Sequence, residues 1–96
     1  MVVGILQVEL AIEWAGSLKD KRRVVSSLKD RLHREHQVSV AEVGALDDQR
    51  TAVLGLTMAS NSVSHCHRVF SRILTKLRAA RDCVLVDQNV EILTGR

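Results

Sequence analysis

The 96-residue chain contains no proline and no tyrosine, one tryptophan, one phenylalanine and two cysteines. Each scarcity removes a class of answers. Without proline, nothing interrupts long regular elements. Two cysteines give neither a disulfide framework nor the paired spacing of a zinc finger, which fits a reducing compartment. No stretch approaches the roughly 20 apolar residues of a membrane span. The apolar start, "MVVGILQVEL", lacks the basic flank and cleavage pattern of an export signal, and Glu9 interrupts it. There is no glycine-rich phosphate loop and no nucleophile elbow. The chain therefore reads as a noncatalytic protein with no cofactor and no metal site. Its length suits one domain, residues 1–96, with one core.

Periodicity supplies the elements. Val2, Gly4, Leu6, Val8, Leu10 and Ile12 alternate with Val3, Ile5, Gln7, Glu9 and Ala11, the pattern of a strand with two unlike faces. Ser17 is placed to cap a helix reaching about His36, with Asp20 in the capping-box position. Along it Leu18, Val24, Val25, Leu28 and Leu32 share one arc at 100° per residue. "QVSVAEVGA" and "TAVLGLTMA" read as strands joined by the hairpin loop "LDDQR". Asn61 or Ser60 is placed to cap a second helix, whose apolar arc runs from Val63 through Cys66, Phe70 and Ile73 to Leu77. "CVLVDQNVEIL" closes the chain as a strand. The order βαββαβ predicts an α+β, ferredoxin-like fold: a four-stranded antiparallel sheet with two helices on one face. Right-handed crossovers put the first and third strands in its centre. Gly4 and Gly55, in those strands, mark close approaches of helix or backbone.

Charge segregates by element. Residues 17–35 carry seven Lys or Arg against three acids, and residues 61–81 carry five Arg or Lys and no acid. The remainder holds eight acids and only Arg50 and Arg96, so the net +3 hides two basic helices. Lys19, Lys21, Arg22 and Arg23 crowd the opening of the first helix, where the helix dipole disfavours cations. On the second, His65, Arg68, Arg72 and Lys76 fall within about 80° of one another, opposite the apolar arc. These basic surfaces read either as solvated helix faces or as a contact for a phosphate-bearing partner, and the missing i,i+4 acids on the second helix favour the partner.

A nucleic acid would not meet this chain through its sheet. Sheet-face RNA readers stack bases on strand aromatics, and none of these strands has one. Glu9, Asp87 and Glu91 on the open face would repel phosphate. Contact through the helices implies backbone and shape recognition. Trp14, just before the first basic helix, either stacks on a base or anchors its own turn. His65 either touches phosphate or supports the helix start. "SHCH" at 64–67 cannot converge on a metal, since consecutive helical positions diverge by 100°. Cys66 reads as a buried thiol, His33 and His36 as structural or solvated groups, and Asp47 and Asp48 as turn formers.

The segments "VVGILQVELAI", "SLKDKRRVVSSLKDRL", "VSVAEVG", "LGLTMASNSVSH" and "VEIL" resemble the YlxP-like family of small bacterial proteins along nearly the whole chain. Ser17, Leu18, Lys19, Lys21, Arg22 and Arg23 fit its first motif, and Ser60, Asn61 and His65 its second. The resemblance implies a ferredoxin-like fold, a cytoplasmic home and a gene neighbourhood shared with translation initiation and ribosome-binding factor A, without an established activity. Members often carry "DxWQR" before the third strand where this chain has "DDQRT", so no function of that loop carries over. Together these readings predict a noncatalytic protein associated with ribosomal RNA or the ribosomal particle. Its phosphate contacts would be Lys19, Lys21, Arg22, Arg23, His65, Arg68, Arg72 and Lys76, with Trp14 beside them. The rival expectation is a homodimer paired through the open sheet face, using Val3, Ile5, Val53, Leu85 and Leu93.

Overall fold

A computed structural model describes residues 1–95 as the predicted order: β1 (Val2–Ala11), α1 (Leu18–His36), β2 (Ser39–Gly44), β3 (Thr51–Ser60), α2 (Val63–Ala79) and β4 (Val84–Thr94). Arg96, counted above among the cations, lies outside the described residues. The strands form one antiparallel sheet ordered β2-β3-β1-β4, with β1 and β3 central. Even-numbered residues of β1 and β3 face the helices: Leu6, Leu10, Leu54 and Leu56 are fully buried, packed with Leu28 of α1 and with Phe70 and Ile73 of α2. Both helices therefore cover one sheet face and leave the other open. This is a ferredoxin-like fold.

Local chemistry explains the element ends. Ser17 Oγ accepts from the Asp20 amide at 3.1 Å and caps α1. The Asp20 carboxylate reaches back to the Gly16 amide at 3.0 Å, one residue before the cap, so the reciprocal bond of a capping box is displaced by one position. Gln37, left-handed at φ 56°, ends the helix, and His33 Nδ1 lies 2.9 Å from the Val38 carbonyl just beyond. The cap of α2 is Ser62, which accepts from His65 N at 3.2 Å, and not the expected Asn61 or Ser60. Ser60 serves one step earlier, its Oγ accepting from the Ser62 amide.

Close packing accounts for both central glycines, on opposite faces. A Cβ on Gly4 would lie 2.8 Å from the Phe70 ring, so α2 sits against bare backbone there. A Cβ on Gly55 would lie 3.0 Å from Val43 Cγ1, so the neighbour on the open face is a side chain of β2 and not a helix. Val43 is the extra residue of a β-bulge between the pairs Glu42–Leu54 and Gly44–Val53. A second bulge separates Glu9–Asp87 from Leu10–Leu85. It inserts Val86 and reverses the alternation of β4. Leu85, expected on the open face, instead packs toward the helix-side core opposite Leu10.

The largest departure from expectation is Lys21, which is 0% exposed. Its Nζ donates to the carbonyls of Ala45 at 2.8 Å, Thr51 at 3.2 Å and Leu46 at 3.3 Å. Glu42 Oε2 lies 2.9 Å from the same nitrogen without hydrogen-bond alignment, an ion pair held by charge. Lys21 is thus no phosphate contact; it fastens α1 to the β2–β3 hairpin. Removing one partner of a buried pair leaves the other uncompensated, at about 3–5 kcal/mol. Lys21→Met should lower unfolding stability by about 3 kcal/mol, near the bottom of that range because Glu42 keeps 16% exposure. Adding Glu42→Leu should restore part of the loss, measured as a double-mutant cycle in urea.

Candidate nucleic-acid interface

The remaining sequence-predicted cations divide by partner. Lys19, Arg22, Arg23, Arg68 and Arg72 are exposed, and among the described residues no carboxylate lies within 4.0 Å of any of them. Lys76 is different: its ammonium is engaged by Glu35 across the gap between the helices. Its charge is already matched. Arg34 meets Asp30 at 3.7 Å, a solvated i,i+4 pair worth little. His65 is exposed at the start of α2, with its amide tied to the Ser62 cap.

Topology spreads these groups into a strip. β1 and β3 are antiparallel, so the helices that follow them run in opposite directions. Ser27 and Leu28 line one cleft together with Ala80 and Arg81, and in the same cleft Glu35 pairs with Lys76. The helices therefore overlap along their C-terminal halves and diverge toward their N-termini. At 1.5 Å per residue, Lys19 lies about 18 Å along α1 from Arg31, and His65 about 16 Å along α2 from Lys76. The cations are thus spread along the lengths of both helices.

Where the helices overlap, a cleft of about 690 Å³ opens between them. Its floor is apolar, with Leu28, Leu32 and Leu77, and its rim carries Arg31, Lys76 and Arg81 against Glu35 and Asp82. The hydrogen bond from Lys76, and then its charge, hold the Glu35 carboxyl below its ordinary range. At the same end His36 has a buried Nε2 with no hydrogen-bond partner. Burial, and secondarily the charge of Lys76, push the imidazole below its ordinary value. Beyond the cleft, burial raises the Cys83 thiol, which makes it an unreactive packing group.

The loops at the opposite end of the helices from His65 hold Trp14. Its indole Nε1 donates to the Asp82 carbonyl at 2.9 Å, joining the β1–α1 and α2–β4 connections, yet the residue remains 56% exposed. The β2–β3 loop is tied in as well: Arg50 Nε donates to the Ala15 carbonyl at 3.1 Å, and Asp48 Oδ1 accepts from the amides of Arg50 and Thr51. Cys66 is buried in the core between the exposed His65 and His67. No group of three or more His, Cys, Asp or Glu side chains is arranged to hold a metal among the described residues. No helix there is long and apolar enough to cross a membrane.

Residues 3–90 match the family described as "Protein of unknown function (DUF503)". The chain belongs to that family. It is 30% identical over 73 residues to "Uncharacterized protein YlxP" of Bacillus subtilis (strain 168), across 76% of this chain and 79% of the relative. Solved structures similar to this DUF503 protein share its architecture at low identity. A de novo designed protein with a ferredoxin fold aligns with 99% of the chain and 89% of its own length, at TM-score 0.59 and 19% identity. Protein Atu4242 from Agrobacterium tumefaciens aligns with 100% of the chain and 94% of its own length, at 0.52 and 16%. A VAO-type flavoprotein from Myceliophthora thermophila aligns at 0.59 and 15%; the chain spans only 16% of it. These likenesses establish the fold alone.

Sequence reading overlooked Arg31 and Arg81 as members of one cleft. The signal was present for Arg31, which with Ser27 and Glu35 occupies the flank of α1 beside the apolar arc, where a second helix must lie. For Arg81, beyond the end of α2, no periodicity applies. His36 was legible as a structural group but not as an orphaned one. Its lowered folded-state value means that the unfolded chain binds more protons below about pH 6.5, so stability falls as pH drops through that region. Urea midpoints should decline between about pH 7.5 and 5.5, and His36→Gln should flatten the decline; an unchanged slope would assign it elsewhere.

Proposed function

We propose that this DUF503 protein is a noncatalytic cytoplasmic RNA-binding protein that holds the phosphate backbone of ribosomal RNA against its two-helix face. One observation carries the reading: Lys19, Arg22, Arg23, Arg68 and Arg72 stand exposed on the two helices with no carboxylate partner within 4.0 Å among the described residues. Uncompensated like charges on adjacent elements repel, and a polyanion relieves that repulsion. The acidic open sheet face gives the field a direction, presenting the helices to phosphate. Without strand aromatics, sequence-specific base reading by the sheet has no means.

Five phosphate contacts correspond to a slope of about −3.5 in log affinity against log salt for a single strand. Co-sedimentation with ribosomal particles and filter binding to ribosomal RNA should both weaken accordingly. Arg68→Glu with Arg72→Glu should abolish retention and leave the circular dichroism spectrum unchanged. Retention by the double variant at low salt would overturn the reading.

A second reading, self-association through the sheet, is favoured by the exposure of Val84, Val86 and Leu93 on the 11-residue edge strand β4. Against it stands the direct cross-strand pairing of Glu9 with Asp87, which would confront its own copy in a face-to-face dimer. Light scattering across a concentration series separates the cases: a dimer lost on Val86→Lys supports pairing, and a monomer throughout removes it.

A further inference from the structure

Resting on the RNA reading, we infer that the inter-helix cleft and the Trp14 corner beside it form a site for an unpaired nucleotide of single-stranded RNA. The cleft and the tryptophan meet at Asp82, whose residue lines the cleft and whose carbonyl holds the indole N–H at 2.9 Å. Its volume of about 690 Å³ lies within the range of small-ligand sites.

The lining has the two halves that a nucleotide has. Leu28 and Leu77 offer an apolar floor, and Arg31 and Arg81 offer guanidinium groups at the rim. Neither arginine has a carboxylate within 4.0 Å among the described residues, whereas Lys76, at the far end, is closed off by Glu35. Arg31 lies in the interior of α1, where no helix terminus calls for a cation.

Trp14 supplies the discriminating feature. A tryptophan kept only as an anchor gains its energy by burying the ring, but this residue remains 56% exposed while its N–H is fixed. The result is an orientated aromatic plate joined through Asp82 to a cleft whose rim carries two guanidinium groups, and aromatic plates with arginines are what unpaired bases stack on whatever their identity. A-form duplex keeps its bases stacked on each other and cannot supply one. The site therefore selects single strands, with little preference among bases.

Because Trp14 is the sole tryptophan, its emission reports on the site directly. Titration of the full chain with oligouridylate should perturb the emission to saturation, whereas a duplex RNA of equal length should bind through the helix strip and leave the emission nearly unchanged. Trp14→Leu should weaken oligouridylate binding about tenfold, and Trp14→Phe, which also loses the N–H anchor but keeps a ring, should retain most of it. Arg31→Gln should weaken the single strand more than the duplex. Oligouridylate binding that leaves the emission unchanged, or equal affinity in Trp14→Leu and Trp14→Phe, would overturn the nucleotide site while leaving the backbone reading intact. Failure of both RNAs to bind would overturn the backbone reading and this inference with it.

Discussion

The ammonium of Lys21 settles the orientation of the whole basic surface. It sits at the centre of the buried arc of α1, in reach of three hairpin carbonyls and the Glu42 carboxylate. With that point fixed, helical geometry sends Lys19 and Arg23 outward. The hairpin loop has no large apolar residue to bury, since Leu46 is exposed. Its carbonyls find their donor in a charged side chain instead. Ala45, the nearest acceptor, adopts a left-handed φ of 54°, which a residue with a Cβ holds only when its surroundings impose it. Polar ties from Arg50 and Asp48 complete the same corner. One end of the domain is therefore organised by hydrogen bonds to backbone, and the rest by the apolar sandwich of sheet and helices.

That division has an electrostatic consequence. Acids that are not spent locally collect on the sheet and loops, and cations on the helices, so the domain is polar across its thickness. The two exceptions are informative. Glu42 of β2 is drawn to the buried Lys21, and Glu35, itself on α1, to Lys76, and each neutralises one helix cation. What remains uncompensated is mostly arginine, whose weak hydration and planar fork suit phosphate better than an ammonium does.

Much of the fold was legible because its signals are periodic. The order of elements, the central strands and the core faces follow from alternation and from the 100° arcs. The misses come from places where a single residue breaks a period. Val86 inserts a bulge and reverses the face of Leu85. Ser62 takes the cap from Asn61 and Ser60 because the chain turns one residue later. Lys21 was misassigned by charge although its position lay mid-arc, between Leu18 and Val24 and one turn before Val25. Helical phase, and not residue type, decides its burial. For the candidate site the basic helices were legible, but the pairing of Lys76 with Glu35 was not, because it depends on how two antiparallel helices are staggered.

That stagger also decides where recognition can occur. If the helices overlapped fully, the apolar floor between them would be closed by side chains, and the cations would form a flat surface suited only to backbone contact. Because they overlap along their C-terminal halves, the Lys76–Glu35 pair closes one end while the other end opens beside Trp14. The strip and the cleft thus have separate physics. The strip gathers long-range attraction, which salt screens. The cleft combines short-range apolar contact with two guanidinium groups, and its stacking component is insensitive to salt. On the proposed reading, a polyanion with flexible, unpaired residues would engage both at once, whereas a rigid duplex would engage the strip alone.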